Sequence, residues 1–157
     1  MIATGYQRKT ANMKKLILSL FTAGIVMVSS AQILNPVRFD YKAVNKGKNI
    51  YELHIKSLIE PKWHLYSVKN PEGGAQATVV KIHDVNSIGS LVEKGKMKSG
   101  YNKEFGVNEK YFENSVDFVQ LVKLSPGARK ITGTIEYMVC NDKQCLPPKE
   151  VEFKIKL

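Results

Sequence analysis

From Gln32 to Leu157 no stretch of this chain sustains a helical apolar period, and that limits its fold more than any other feature. What recurs instead is short runs of β-branched and aromatic residues, each closed by Gly, Pro, Asn or Asp. The pattern predicts strands over 37–44, 49–59, 63–68, 78–84 and 90–94, then over 115–124, 130–139 and 151–157. Within 49–59, Tyr51, Leu53 and Ile55 alternate with Glu52, His54 and Lys56, so one face is apolar and the other polar. Phe118, Val119, Leu121 and Val122 are apolar on both faces, as a central strand requires. The last strand is expected to send Val151, Phe153, Ile155 and Leu157 inward. Residues 96–114 read as a long irregular segment with glycines at Gly100 and Gly106. Short strands separated by turn residues in one stretch of this length predict an all-β, immunoglobulin-like antiparallel β-sandwich.

The first thirty-one residues do not belong to that pattern. Met13-Lys14-Lys15 opens a basic start, Leu16 to Val28 is apolar, and Ser29-Ser30-Ala31 supplies small residues for cleavage after Ala31. The apolar run is shorter than the roughly 20 residues of a spanning helix, so a signal peptide and no lasting membrane insertion are expected. Residues 1–12 then form an upstream extension, with Met1 and Met13 both available as starts, and 32–157 form one domain. The whole chain carries 24 basic and 14 acidic side chains, a net +10. Arg8, Lys9, Lys14 and Lys15 lie in the leader, which holds no acid, so the domain keeps a milder basic excess. The Lys94, Lys96, Lys98 and Lys103 cluster reads as a solvated face, compatible with an acidic protein partner. No nucleic-acid-binding motif is present, and an exported chain is not expected to take such a partner.

Export places the only two cysteines, Cys140 and Cys145, where a disulfide can persist. They fall between two strand-like runs, with Asn141-Asp142 as turn residues and Pro147-Pro148 interrupting the ladder. Both sulfurs are therefore expected in an accessible turn at a sheet edge. Three roles fit the spacing. A structural staple is one, although a bridge over so short a loop restrains the unfolded chain by only about 2 kcal/mol. A metal site is another, but it needs further ligands, and His54, His64 and His83 show no useful spacing to the pair. A redox-active dithiol is the third, since it needs a reachable thiolate and a nearby resolving thiol, with Lys143 placed to favour the thiolate. No Cys-x-x-Cys-His haem motif occurs, and no cofactor is expected. An exported β-sandwich that binds a protein, its disulfide only shaping a loop, is the alternative from another functional class.

Trp63-His64-Leu65-Tyr66-Ser67, Pro71-Glu72-Gly73-Gly74, Lys103-Glu104-Phe105-Gly106, Tyr111-Phe112-Glu113 and, above all, Tyr137-Met138-Val139-Cys140 with Cys145-Leu146-Pro147-Pro148 form a recognisable set. Together they resemble the N-terminal periplasmic domain of the transmembrane thiol–disulfide reductase DsbD. The resemblance implies an immunoglobulin-like sandwich whose cysteine pair receives electrons from a membrane reductase or a thioredoxin-like donor. It implies delivery to periplasmic disulfide isomerases or thioredoxin-like proteins of cytochrome c maturation. Carried onto this sequence, Cys145 forms the mixed disulfide with partners and Cys140 resolves it. Glu104, Phe105 and Gly106 resemble a cap loop whose aromatic covers the disulfide, and Trp63, His64 and Tyr66 resemble residues beside the pair. The best-known relatives place one more residue between their cysteines and an extra aromatic before the cap glycine. Because the chain ends at Leu157, its reductant is expected to be a separate protein.

Overall fold

The computed structural model describes residues 34–157, so the leader and the boundary after Ala31 lie outside the described residues. The strands are β1 (Val37–Gly47), β2 (Ile50–Ile59), β3 (His64–Tyr66), β4 (Val79–His83), β5 (Asn86–Lys94) and β6 (Met97–Asn102). They continue as β7 (Val107–Phe112), β8 (Ser115–Lys123), β9 (Lys130–Tyr137), β10 (Val139–Cys140) and β11 (Lys149–Lys156). Three antiparallel sheets result, ordered β1-β2-β8-β5, β10-β3-β7-β6 and β11-β9-β4. No helix occurs among the described residues. This is the antiparallel, immunoglobulin-like β-sandwich that the alternation and turn chemistry predict.

One apolar core joins the three sheets. Leu53 and Ile55 of β2 and Val116, Phe118 and Val122 of β8 meet Ile131 and Ile135 of β9 and Phe153 of β11. Leu65 of β3 and Phe112 of β7 extend the same core under the second sheet. Each such side chain contributes about 1.5–3 kcal/mol by leaving water. The strand expected to be central, β8, pairs with β2 on one side and β5 on the other. Gln120 lies on its inward row and is buried, yet its Nε2 donates to the carbonyls of Ile88 at 3.0 Å and Leu121 at 2.9 Å. It thereby satisfies a backbone carbonyl at the β5 irregularity between Ile88 and Val92.

Three local expectations change. Residues 96–114 are mostly a regular hairpin, β6 pairing β7 from Met97↔Phe112 to Asn102↔Val107. Its sequence hides this because β6 is an edge strand whose residues are nearly all exposed, so no apolar alternation marks it. The β5 strand begins earlier than expected, at Asn86, and the strand around residue 65 is shorter, covering His64–Tyr66. Leu157 is 42% exposed and lies beyond the end of β11, so the inward row stops at Ile155.

The loop from Asn70 to Gly74 is fastened to β7 by buried polar groups. Asn70 Nδ2 donates to the Ala75 carbonyl at 2.7 Å, and Asn70 Oδ1 accepts from the Lys110 amide at 2.7 Å. Asn70→Ala is expected to destabilise the domain by about 2 kcal/mol, because both backbone groups lose a buried partner. Urea denaturation measures that loss, and faster hydrogen exchange at the Lys110 amide localises it.

Candidate functional site

The cysteines are joined by a disulfide, their Cα atoms 4.0 Å apart. Cys140 ends β10, which pairs with β3 so that Cys140 stands opposite His64 and Val139 opposite Leu65. Asn141 builds the turn between the cysteines. Its Oδ1 accepts from the amides of Lys143 and Gln144, each at 2.9 Å, and its own amide donates to the Gln144 carbonyl at 2.9 Å. The Leu146 amide then returns to the Val139 carbonyl at 2.9 Å. This Asx geometry is what an Asn at the head of a tight turn supplies.

The expectation that both sulfurs are accessible holds for one of them. Cys140 is 2% exposed and packs with Tyr66 and Ala75, whereas Cys145 is exposed. Pairing with β3 draws Cys140 out of the turn and into a sheet, and only Cys145 remains on the loop. The covalent pair thus has an inner and an outer sulfur.

Beside it lies an open cleft of about 380 Å³, walled by the cysteine turn on one side and by the tip of the β6–β7 hairpin on the other. His64 and Tyr66 line it, while Trp63 does not. Trp63 is 7% exposed in the main core, because residues 63 and 65 face opposite to 64 and 66. The resemblance placed all three beside the pair; Trp63 packs into the core and does not line the cleft. Of the cap-loop residues, Glu104 lines the cleft; Phe105 is 43% exposed at the hairpin tip and does not. Asn102 Oδ1 holds that tip by accepting from the Glu104 amide at 2.9 Å, and Gly106, at φ +70, closes the turn. Phe105 thus stands exposed at the rim of the cleft.

The cleft is lined also by a carboxylate that sequence reading missed. Glu109 of β7 is 4% exposed; its Oε1 accepts from the Ala75 amide at 2.7 Å and its Oε2 from Asn102 Nδ2 at 2.9 Å. Gly74 permits this approach, since a Cβ there would lie 2.9 Å from Glu109 Oε1. Burial pushes the Tyr66 hydroxyl well above the usual phenol range, and the charge of Glu109 and a hydrogen bond to it add to the effect. The Tyr66 hydroxyl also meets His64 Nε2 at 3.2 Å. Burial holds the His64 imidazole below the usual histidine range, against the opposing pull of Glu109, Glu113 and Asp142. Glu109 was legible only to a reader who already knew that β7 pairs with β3, for it shares a face with Tyr111 two residues on. Among the described residues no three His, Cys, Asp or Glu side chains are grouped to hold a metal ion.

A family model described as "Thiol:disulfide interchange protein DsbD, N-terminal" matches residues 30–157. The chain belongs to the DsbD N-terminal family. The family is named for the N-terminal part of a thiol:disulfide interchange protein, and in this chain the two cysteines are joined to each other. The domain resembles the N-terminal periplasmic domain of ScsB from Proteus mirabilis, at 14% identity and a TM-score of 0.61, over 78% of this chain and 47% of that one. It therefore spans about half the length of the ScsB structure. It also resembles the reduced DsbD N-terminal domain of Neisseria meningitidis, at 17% identity and a TM-score of 0.55, over 79% of this chain and 90% of that one. A third match is the Neisseria meningitidis complex between the DsbD N-terminal and PilB N-terminal domains, at 13% identity and a TM-score of 0.53, over 78% of this chain and 87% of that one. At such identities these likenesses establish the DsbD N-terminal fold. No curated protein matches the chain in sequence.

Proposed function

We propose that the chain is a periplasmic relay of reducing equivalents, working through the Cys140/Cys145 pair. The donor is a membrane thiol–disulfide reductase or a thioredoxin-like protein; the acceptor is a disulfide isomerase or a thioredoxin-like protein of cytochrome c maturation. Cys145 attacks the acceptor's disulfide and Cys140 resolves the mixed disulfide. The observation that carries this reading is the unequal exposure of the two sulfurs beside an open cleft. An outer sulfur is reachable by a docked protein, and an inner one is shielded from stray thiols until the outer bond has formed. The Neisseria DsbD N-terminal domain is known in complex with a PilB domain, and a protein docking at the cysteine turn is the corresponding proposal for this chain.

Export by residues 1–31, with cleavage after Ala31, accompanies the proposal and supplies the compartment. The hairpin tip Glu104-Phe105-Gly106 is proposed as a movable rim that can bring Phe105 over Cys145 and that a docking partner displaces. The reduction potential of the pair tests the whole reading. A value above about −300 mV, with electron exchange against a thioredoxin-like protein, is expected. A lower potential without exchange would make the disulfide a staple and leave a protein-binding sandwich as the better description.

A further inference from the structure

The two cysteines do not face the same chemical problem. Cys145 stands in solvent, where a thiol ionises readily enough to attack. Cys140 is packed against Tyr66 and Ala75, with Tyr111 and Met138 beside them, and is buried away from bulk water that could take its proton. Resolution of a mixed disulfide requires the Cys140 thiolate, so the inner cysteine needs a base that the outer one does not.

His64 is directly opposite Cys140 across the β3–β10 pair, and opposite residues in an antiparallel pair project to the same face within about 5.5 Å. Both line the cleft. The imidazole is fixed between two rings, with its centroid 5.3 Å from that of Tyr66 and 4.7 Å from that of Tyr111. Tyr66 and the Glu109 carboxylate line the same cleft, and a carboxylate can only accept, so the phenol O–H is favoured when it turns toward Glu109. The Tyr66 oxygen then accepts from His64 Nε2–H, and Nδ1 is left without a proton.

Resting on the exchange reading above, we propose that His64 is the general base for Cys140, with Tyr66 and Glu109 as positioning residues that set its tautomer. The Cys145 thiolate first attacks the partner's disulfide, forming a mixed disulfide and releasing one partner thiolate. Cys140 passes its proton to His64 Nδ1 while its sulfur attacks Cys145 Sγ. The Cys140–Cys145 bond forms, the second partner thiolate leaves, and it takes the proton back from the imidazolium. Two electrons move from the domain to the partner, and the thiol protons end on the partner's sulfurs or in solvent.

The imidazole is suited to this by being neutral at neutral pH, since burial outweighs the acids that face it. Those acids are Glu109 and Glu113 of β7 and Asp142 of the cysteine turn. The nearby cations are Lys103 and Lys143, both on the cleft wall, and Lys98 of β6, which is held by Glu113 at 2.6 Å.

The fully reduced chain mixed with one equivalent of dithiobis(nitrobenzoic acid) separates the two steps. The first nitrothiobenzoate release reports attack by Cys145, and the second reports resolution by Cys140. At about pH 7, His64→Gln is expected to slow the second release by about tenfold or more while changing the first by less than about twofold. The gap should narrow as the pH rises through the range in which a thiol ionises without help. Tyr66→Phe, which keeps the ring, should slow the second release and move its acid-side inflection to lower pH, because the imidazolium loses its acceptor. An unchanged second release in His64→Gln overturns the proposal, and so does a slowing of the same size at every pH, which marks a structural effect. A Tyr66→Phe profile that does not move removes the positioning role. If the unmodified chain gives no first release, the exchange reading fails and the base assignment falls with it.

Discussion

Cys145→Ser is expected to abolish electron transfer to any disulfide partner, whereas Cys140→Ser should stall it at a covalent complex. The difference follows from burial. With Cys145 gone, the remaining sulfur is 2% exposed behind β3 and the turn, and an incoming disulfide has no line of attack. With Cys140 gone, Cys145 still attacks from the loop but nothing resolves the bond it forms. Non-reducing gels of each variant mixed with an oxidised thioredoxin-like protein distinguish the outcomes: a trapped adduct for Cys140→Ser, none for Cys145→Ser. Adducts of equal yield from both variants would mean that the inner sulfur is as reachable as the outer one.

The double serine variant should remain folded. A bridge over a sequence separation of 5 contributes about 2 kcal/mol at most through the unfolded chain. The same turn is already closed by the bonds of Asn141 and by Leu146 to Val139. A loss of stability well beyond that figure would favour a bracing role for the disulfide.

Gly133→Ala is expected to be the most damaging single-methyl change in the fold, costing about 3 kcal/mol and lowering Tm by roughly 10 °C. Gly133 sits in mid-strand on β9, opposite Ile82 of β4 on one side and Phe153 of β11 on the other. A Cβ there would overlap both the Lys81 carbonyl oxygen and the Phe153 ring. The ring can turn, but the carbonyl belongs to the β4–β9 ladder and cannot move without breaking pairs there. Adding Phe153→Leu to Gly133→Ala should therefore recover only part of the loss. Thermal denaturation checks both variants, and an unchanged Tm for Gly133→Ala would contradict the close approach of β4 across β9.

Glycine within an apolar run is a recognised sign of close backbone approach, so Gly133 could be flagged from sequence, though not the atoms it makes room for. The same contrast runs through the site. Asn141 announces its turn because the side chain bonds amides two and three residues along, all within one short stretch. The alternation of Leu53 and Ile55 with His54 is equally local. The β6–β7 hairpin was missed because an exposed edge strand has no apolar face to impose a rhythm. Trp63 joined His64 and Tyr66 through the resemblance alone, whereas the strand sends it to the opposite side from both.

By itself, the sequence determined the all-β class, most strand positions, the cysteine turn and the chemistry its thiols allow. Each of these is written in periods and turn residues a few positions apart. Only the tertiary structure decided which sulfur is buried, that His64 faces Cys140, and that Glu109 lies with Tyr66 on the same cleft. Those facts depend on β10, β3 and β7 becoming neighbours. Backbone hydrogen bonds are alike for every strand and every register, so partner choice is settled by how the whole core packs.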